Sequence, residues 1–175
     1  MRLDLGSGKY PIEGYIHFDR YVYPDLDCIG DANALPFRSG SFDEVVASHI
    51  IEHIPWWETR VFLQEWYRVI REGGFIDIQT VDFEQICHRY LDRTGMHYMS
   101  SLNPDGIHGI WLNRAILWWE ESTERIENLH RAVFDFRYLV HCLAQVGFRD
   151  VIRLPIEQTK TYKHHVSEML ARGYK

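Results

Sequence analysis

An α/β architecture, a mostly parallel sheet with helices on both faces, is predicted by three observations. Short apolar or β-branched runs alternate with segments whose apolar residues recur at helical spacing. Several runs end on a polar or glycine turn, as in Leu3-Asp4-Leu5-Gly6-Ser7-Gly8 and Tyr15-Ile16-His17-Phe18-Asp19. A chain of 175 residues fits one domain with one sizeable core.

The elements follow in order. The first strand covers about Arg2 to Leu5, and the second runs from Tyr15 to Phe18 and ends at Asp19. The link between them is short for a parallel pair, which normally needs a dozen or more residues. A first helix reduced to about a turn is therefore expected. A short third strand lies within Asp25–Gly30, and Phe42–Ser48 is a fourth with a β-branched centre. Helical spacing of Val61, Phe62, Trp66, Val69 and Ile70 predicts a helix from Trp56 to Arg71, stopped by Gly73-Gly74. Phe75–Val81 is a fifth strand closing at Asp82, followed by a helix from Phe83 to Leu91.

From about 94 to 130 the chain is rich in aromatics, with Met96, Tyr98, Met99, Trp111, Trp118, Trp119 and a turn at Asn103-Pro104-Asp105-Gly106. This stretch is expected to be an insertion over the site. Asp135 to Val146 is an amphipathic helix with Gly147 as its stop, and Phe148–Leu154 is a late strand. The tail after Pro155 fits no single element.

Composition narrows the function. The net charge of −6 argues against a nucleic-acid backbone as the main ligand. Cys28, Cys87 and Cys142 are far apart and odd in number, so neither a disulfide framework nor a zinc knuckle is expected, and a reducing cytoplasm is the simplest setting. No apolar run reaches spanning length, and the start reads as a strand rather than a signal peptide.

The turn Gly6-Ser7-Gly8 lets a ligand approach the backbone, because no Cβ stands in the way at the glycines. Such turns at the carboxyl end of a parallel strand are where α/β sheets take nucleotide-like ligands. Asp19, at the end of the second strand, is either a turn residue or an acceptor for ribose hydroxyls, since a carboxylate offers only acceptors and takes two hydroxyls at once. The third position after Gly8 is Pro11, which fits poorly with the longer glycine turn of a nicotinamide-dependent oxidoreductase.

Four segments in order resemble the class I S-adenosylmethionine-dependent methyltransferases. They are Leu3–Gly8; Tyr15–Asp19; Gly30-Asp31-Ala32-Asn33-Ala34-Leu35-Pro36-Phe37 with Ser41–Val46; and Arg68-Val69-Ile70-Arg71-Glu72-Gly73-Gly74. More narrowly, the chain is similar to small methyltransferases found near surface-polysaccharide genes, through its short first loop and through His130-Arg131-Ala132-Val133-Phe134-Asp135. The resemblance implies a three-layer Rossmann-like fold and S-adenosyl-L-methionine as cofactor. It implies that Gly6, Ser7 and Gly8 offer backbone N–H groups to the methionine carboxylate, and that Asp4 orients the amino end. It further implies that Asp19 holds the ribose, Asp31 and Ala32 meet the adenine edge, Leu35 or Phe37 touches its face, and Ser48 and His49 line the methyl-donating end.

An oxygen or nitrogen acceptor must lose a proton, and histidine suits that at neutral pH. The candidates are His49, His53, Asp82 and His130. His53 either packs against the sheet on a backbone carbonyl or acts at the site, and His130 either binds an anionic or sugar acceptor beside Arg131 or caps the next helix. No metal is expected, because the adjacent His164-His165 would point apart. The Asn/Asp-Pro-Pro-aromatic segment of amino-methylating DNA enzymes is replaced by Ser48-His49-Ile50-Ile51. The reading is methyl transfer to a small-molecule or saccharide acceptor at oxygen, with a homodimer as one possible assembly. A non-catalytic cofactor-binding protein is the alternative.

Overall fold

The computed structural model describes residues 1–94, 108–117, 129–161 and 167–175. Seven strands form one sheet: β1 (Arg2–Leu5), β2 (Ile16–Asp19), β3 (Cys28–Ile29), β4 (Phe42–Ser48), β5 (Ile70–Val81), β6 (Arg149–Leu154) and β7 (Glu168–Tyr174). Their order is β3-β2-β1-β4-β5-β7-β6. The first five run parallel, and β7 pairs antiparallel with both β5 and β6. This is the mostly parallel, Rossmann-like sheet that the alternation predicts.

The helices are α1 (Thr59–Val69), α2 (Phe83–Leu91), α3 (His108–Leu117) and α4 (Phe136–Val146). Leu3, Leu5, Val45, Ala47, Ile76, Ile78 and Ala171 share one sheet face and form the core with Leu63 and Trp66 of α1 and Leu139 and Leu143 of α4. Asp82 caps α2 by accepting from the N–H groups of Glu84 and Gln85, and Asp135 caps α4 through Tyr138 N–H. Gly147 ends α4 in the left-handed region, φ 114°, which glycine adopts without steric cost.

Three expectations are corrected. The fourth-to-fifth-strand helix starts at Thr59 and ends at Val69, so Gly73-Gly74 does not stop it. Those glycines lie within β5, where the register jumps from Phe42 opposite Ile70 to Glu44 opposite Phe75. Lys175 draws them into the sheet: Gly73 N–H donates to its carbonyl and its N–H donates to Gly74 O. The tail forms β7, wedged between β5 and β6. The first crossover contains no helix at all: residues 6–15 pass from β1 to a parallel β2 through turns.

Two side chains replace that helix. Asp4 and His17 stand side by side across β1 and β2. Asp4 accepts from Ile12 N–H at 3.0 Å, and His17 Nε2 meets Ile12 O at 2.8 Å. Both backbone groups of Ile12 are thus held by the sheet itself.

The second sheet face is charged. Asp4, His17, Glu44, Asp77 and Arg172 lie on it, with Tyr15 and Lys160 bonded to Glu44 from above. Arg172 grips Asp77 with two bonds of 2.6 and 2.7 Å. Of the aromatic stretch, α3 packs on α2 and Trp111 is buried, while Met96, Tyr98, Met99, Trp118, Trp119, the 103–106 turn and His164-His165 lie outside the described residues.

Candidate active site

A cavity of about 440 Å³ opens at the carboxyl ends of β1, β2 and β4, the edge where α/β sheets bind ligands. Gly6, Asp19, Asp31 and Ala32 line it, as do His49, His53 and Arg131 with Ile50 and Pro55.

Two positions near the cavity require glycine. Gly6 has φ 73°, and a Cβ there would stand 3.2 Å from the Ile50 side chain. A Cβ on Gly30 would meet the Phe18 ring at 2.9 Å. Asp19 is nearly buried, with one oxygen on Gly8 N–H at 3.0 Å and the other on Tyr21 N–H at 2.9 Å. Those bonds fix its orientation and leave lone pairs for two hydroxyls. Asp31 is exposed, accepts from Asn33 N–H and pairs with Arg20 at 3.4 Å. Ala32 is anchored by Trp66 Nε1–H on its carbonyl. An acceptor pair for a ribose, an acidic edge for an amino-substituted base and a wall that excludes side chains suit a nucleoside.

Other predicted residues are placed elsewhere. Asp4 points to the charged face, where burial pushes its carboxyl up to about 6 against the opposing pull of Ile12 N–H and His17; it holds the loop instead of lining the cavity. The amides of Gly6 and Ser7 both donate to Phe18 O, and that of Gly8 to Asp19, so the turn folds its donors onto β2 and away from an incoming anion. Leu35 is in the core, its N–H on Glu65 and its carbonyl on Arg68. Phe37 packs edge-on to Phe18 and Phe42. Ser48 bonds Thr161 on the charged face. Asp82 is buried, caps α2 and pairs with Arg153.

The histidines separate into distinct roles. His49 takes φ 52° at the end of β4, a conformation unusual for a side chain with a Cβ and one found at functional sites. Its Nδ1 lies 2.8 Å from Glu52 Oε1 and its Nε2 3.3 Å from Glu168 Oε1. Burial alone would push the imidazolium down; the two carboxylates outweigh it and hold it up at about 10. Burial would likewise raise Glu52, and the His49 charge brings it to about 2. The two carboxylates thus favour the imidazolium form of His49, which makes it a poor proton acceptor at neutral pH. Glu52 and Glu168 are the residues that sequence reasoning missed. Glu52 directly precedes the candidate His53, but Glu168 joins from β7 and carries no local signal.

His53 faces the cavity, with Nδ1 on Leu129 O at 3.4 Å. His130 lies behind it, ring centroids 5.0 Å apart and edge-to-face, with Nδ1 on Ile116 O at 3.1 Å. Burial pushes His130 down to about 4, with Glu52 opposing. It is neutral at physiological pH.

These shifts fix a pH dependence. His49, raised from its ordinary 6.5, contributes stability that is fully present below pH 6.5 and lost as pH rises through about 10. His130, depressed from 6.5, loses its contribution as pH falls toward about 4. Asp4, raised from 3.8, loses its own as pH rises toward about 6, so the two oppose each other below neutrality. Urea unfolding across pH should give a near plateau from 4 to 6.5 and then a fall of several kcal/mol, at most about 1.4 kcal/mol per unit for one group. A level profile above pH 6.5 would show that His49 is neutral.

Residues 15–78 match a family model described as a methyltransferase domain. A probable phthiotriol/phenolphthiotriol dimycocerosates methyltransferase 2 from Mycobacterium ulcerans is 33% identical over 124 residues, 66% of this chain. The chain spans 44% of that curated relative. Among solved structures, a SAM-dependent methyltransferase from Methanosarcina mazei superposes with TM-score 0.57 at 16% identity, over 99% of this chain and 91% of that one. The 1,6-didemethyltoxoflavin-N1-methyltransferase of Burkholderia thailandensis, with 1,6-didemethyltoxoflavin and S-adenosylhomocysteine bound, does so with TM-score 0.57 at 13% identity, over 99% and 70%. The fold is one shared with SAM-dependent methyltransferases of known structure, and residues 15–78 carry the likeness to a methyltransferase domain.

Proposed function

We propose that the chain moves a methyl group from S-adenosyl-L-methionine to an oxygen of a small-molecule or saccharide acceptor. The observation that carries this reading is one cavity lined by Asp19, Asp31 and Ala32 together with His53 and Arg131. When bound, the cofactor supplies an electrophilic sulfonium methyl. The chain's own residues orient, exclude water and handle the proton.

Asp19 accepts the ribose hydroxyls, and Asp31 with Ala32 meets the adenine. His53 takes the acceptor's proton at Nε2, because its Nδ1–H is engaged by the Leu129 carbonyl. His49, pinned as a cation, sets the potential at the base of the cavity without exchanging a proton.

A saccharide is favoured by Trp56 and Trp57. They follow the cavity residue Pro55, are 62% and 65% exposed, and stand nearly perpendicular with centroids 5.8 Å apart. Exposed indole faces suit the C–H face of a sugar. The likeness of the His130–Asp135 segment to methyltransferases near surface-polysaccharide genes points the same way. Among the described residues no helix is long and apolar enough to cross a membrane. The free cysteines fit a cytoplasmic setting.

Calorimetry with the cofactor tests the assignment. Asp19→Ala should weaken binding about ten- to a hundredfold, the cost of a lost charged hydrogen bond. Asp31→Ala should weaken it less, because Asp31 is exposed. Unchanged affinity in both would remove the adenosine assignment. Transfer of a labelled methyl group to candidate sugars tests the acceptor, and cofactor binding with no product from any acceptor would favour a non-catalytic role.

A further inference from the structure

We propose that Glu52, His53 and His130 form a binding site for a divalent transition-metal ion, zinc above all. One ligand atom from each lies within 4.8 Å of the other two. Two imidazoles and a carboxylate, with room for a fourth ligand, are a set that zinc takes in open sites. The sequence hides the site, because His53 and His130 are 77 positions apart.

The ligands are held before any ion arrives. Arg131 N–H and Ala132 N–H donate to Glu52 O at 2.7 and 3.1 Å, which fastens the His130 segment against the short helix that carries Glu52 and His53. Each imidazole has Nδ1 on a backbone carbonyl: His53 on Leu129, His130 on Ile116. A carbonyl only accepts, so the proton sits on Nδ1 and the lone pair on Nε2. That outer hydrogen bond is the usual way a protein fixes the tautomer and ring angle of a metal-bound histidine.

Glu52 is oriented likewise. Thr80 Oγ1–H donates to Oε2 at 2.8 Å and His49 contacts Oε1, and a carboxylate with about four lone-pair sites retains capacity for an ion.

An ion here occupies Nε2 of His53. On the methyl-transfer reading that same lone pair accepts the proton, so the metal-bound form is the inactive one. That consequence rests on the proposed function; the site itself does not.

Calorimetry with zinc alone separates the two. Metal-stripped protein should bind one zinc per chain. His53→Ala and His130→Ala should each weaken it at least tenfold, while circular dichroism and cofactor affinity show that each variant is folded. The double variant His164→Ala/His165→Ala controls for the other histidine pair and should bind zinc like the parent. Unchanged affinity in both His53→Ala and His130→Ala, or loss only in the 164/165 variant, overturns the site. Turnover that holds or rises when zinc saturates the parent overturns the inhibitory role and leaves the binding result standing.

Discussion

Replacement of Glu52 by glutamine should cost the fold about 3–5 kcal/mol, the range for removing one member of a buried ion pair. The side chain keeps its shape, and its one carbonyl oxygen can still accept from His49, while an amide NH2 replaces the oxygen to which Thr80 donates. What disappears is the negative charge, in a residue only 1% exposed. His49 then keeps only Glu168 as a charged partner, and burial pushes its proton off. Two readings follow from one variant. Urea unfolding at neutral pH reports the loss of stability. The unfolding profile above pH 6.5 should also flatten, because His49 no longer titrates late. A loss below about 1 kcal/mol, ordinary for any substitution, together with an unaltered profile would show that Glu52 and His49 are not an ion pair.

Replacement of His53 by glutamine should lower kcat about 10²- to 10⁴-fold, the usual worth of a positioned acid or base. Cofactor affinity should hold, because the nucleoside is assigned to Asp19, Asp31 and Ala32 and not to His53. Glutamine keeps a donor for the Leu129 carbonyl and removes the basic nitrogen. Single-turnover methyl transfer is the measurement, with calorimetry of the cofactor beside it. A variant with parental kcat would reduce His53 to a packing residue.

Much of the fold was legible because its signals are local. Asp82 and Asp135 cap the helices that their positions announce, and Gly147 ends one where the sequence says it should. Asp19 lies at the cavity because strand ends do so in this class of sheet. Two failures were also legible in principle. Asp4 sits between Leu3 and Leu5, and Ser48 follows Ala47, so period-two alternation already turns both away from the core face; the family resemblance overrode that reading. Other failures could not be foreseen. Leu35 is claimed by Glu65 and Arg68, some thirty residues on. The charge on His49 depends on Glu168, in a strand whose pattern reads as nothing in particular. The inward turn of the Gly6–Gly8 amides depends on a crossover too short for a helix, which no composition rule anticipates.

That crossover sets an order of preference in recognition. With its amides folded onto Phe18 and Asp19, the loop has turned its backbone donors inward. Spent and fresh cofactor share the nucleoside and differ only at sulfur. On the proposed function, a pocket that grips mainly the nucleoside would discriminate weakly between them, and turnover would follow the ratio of the two in its surroundings.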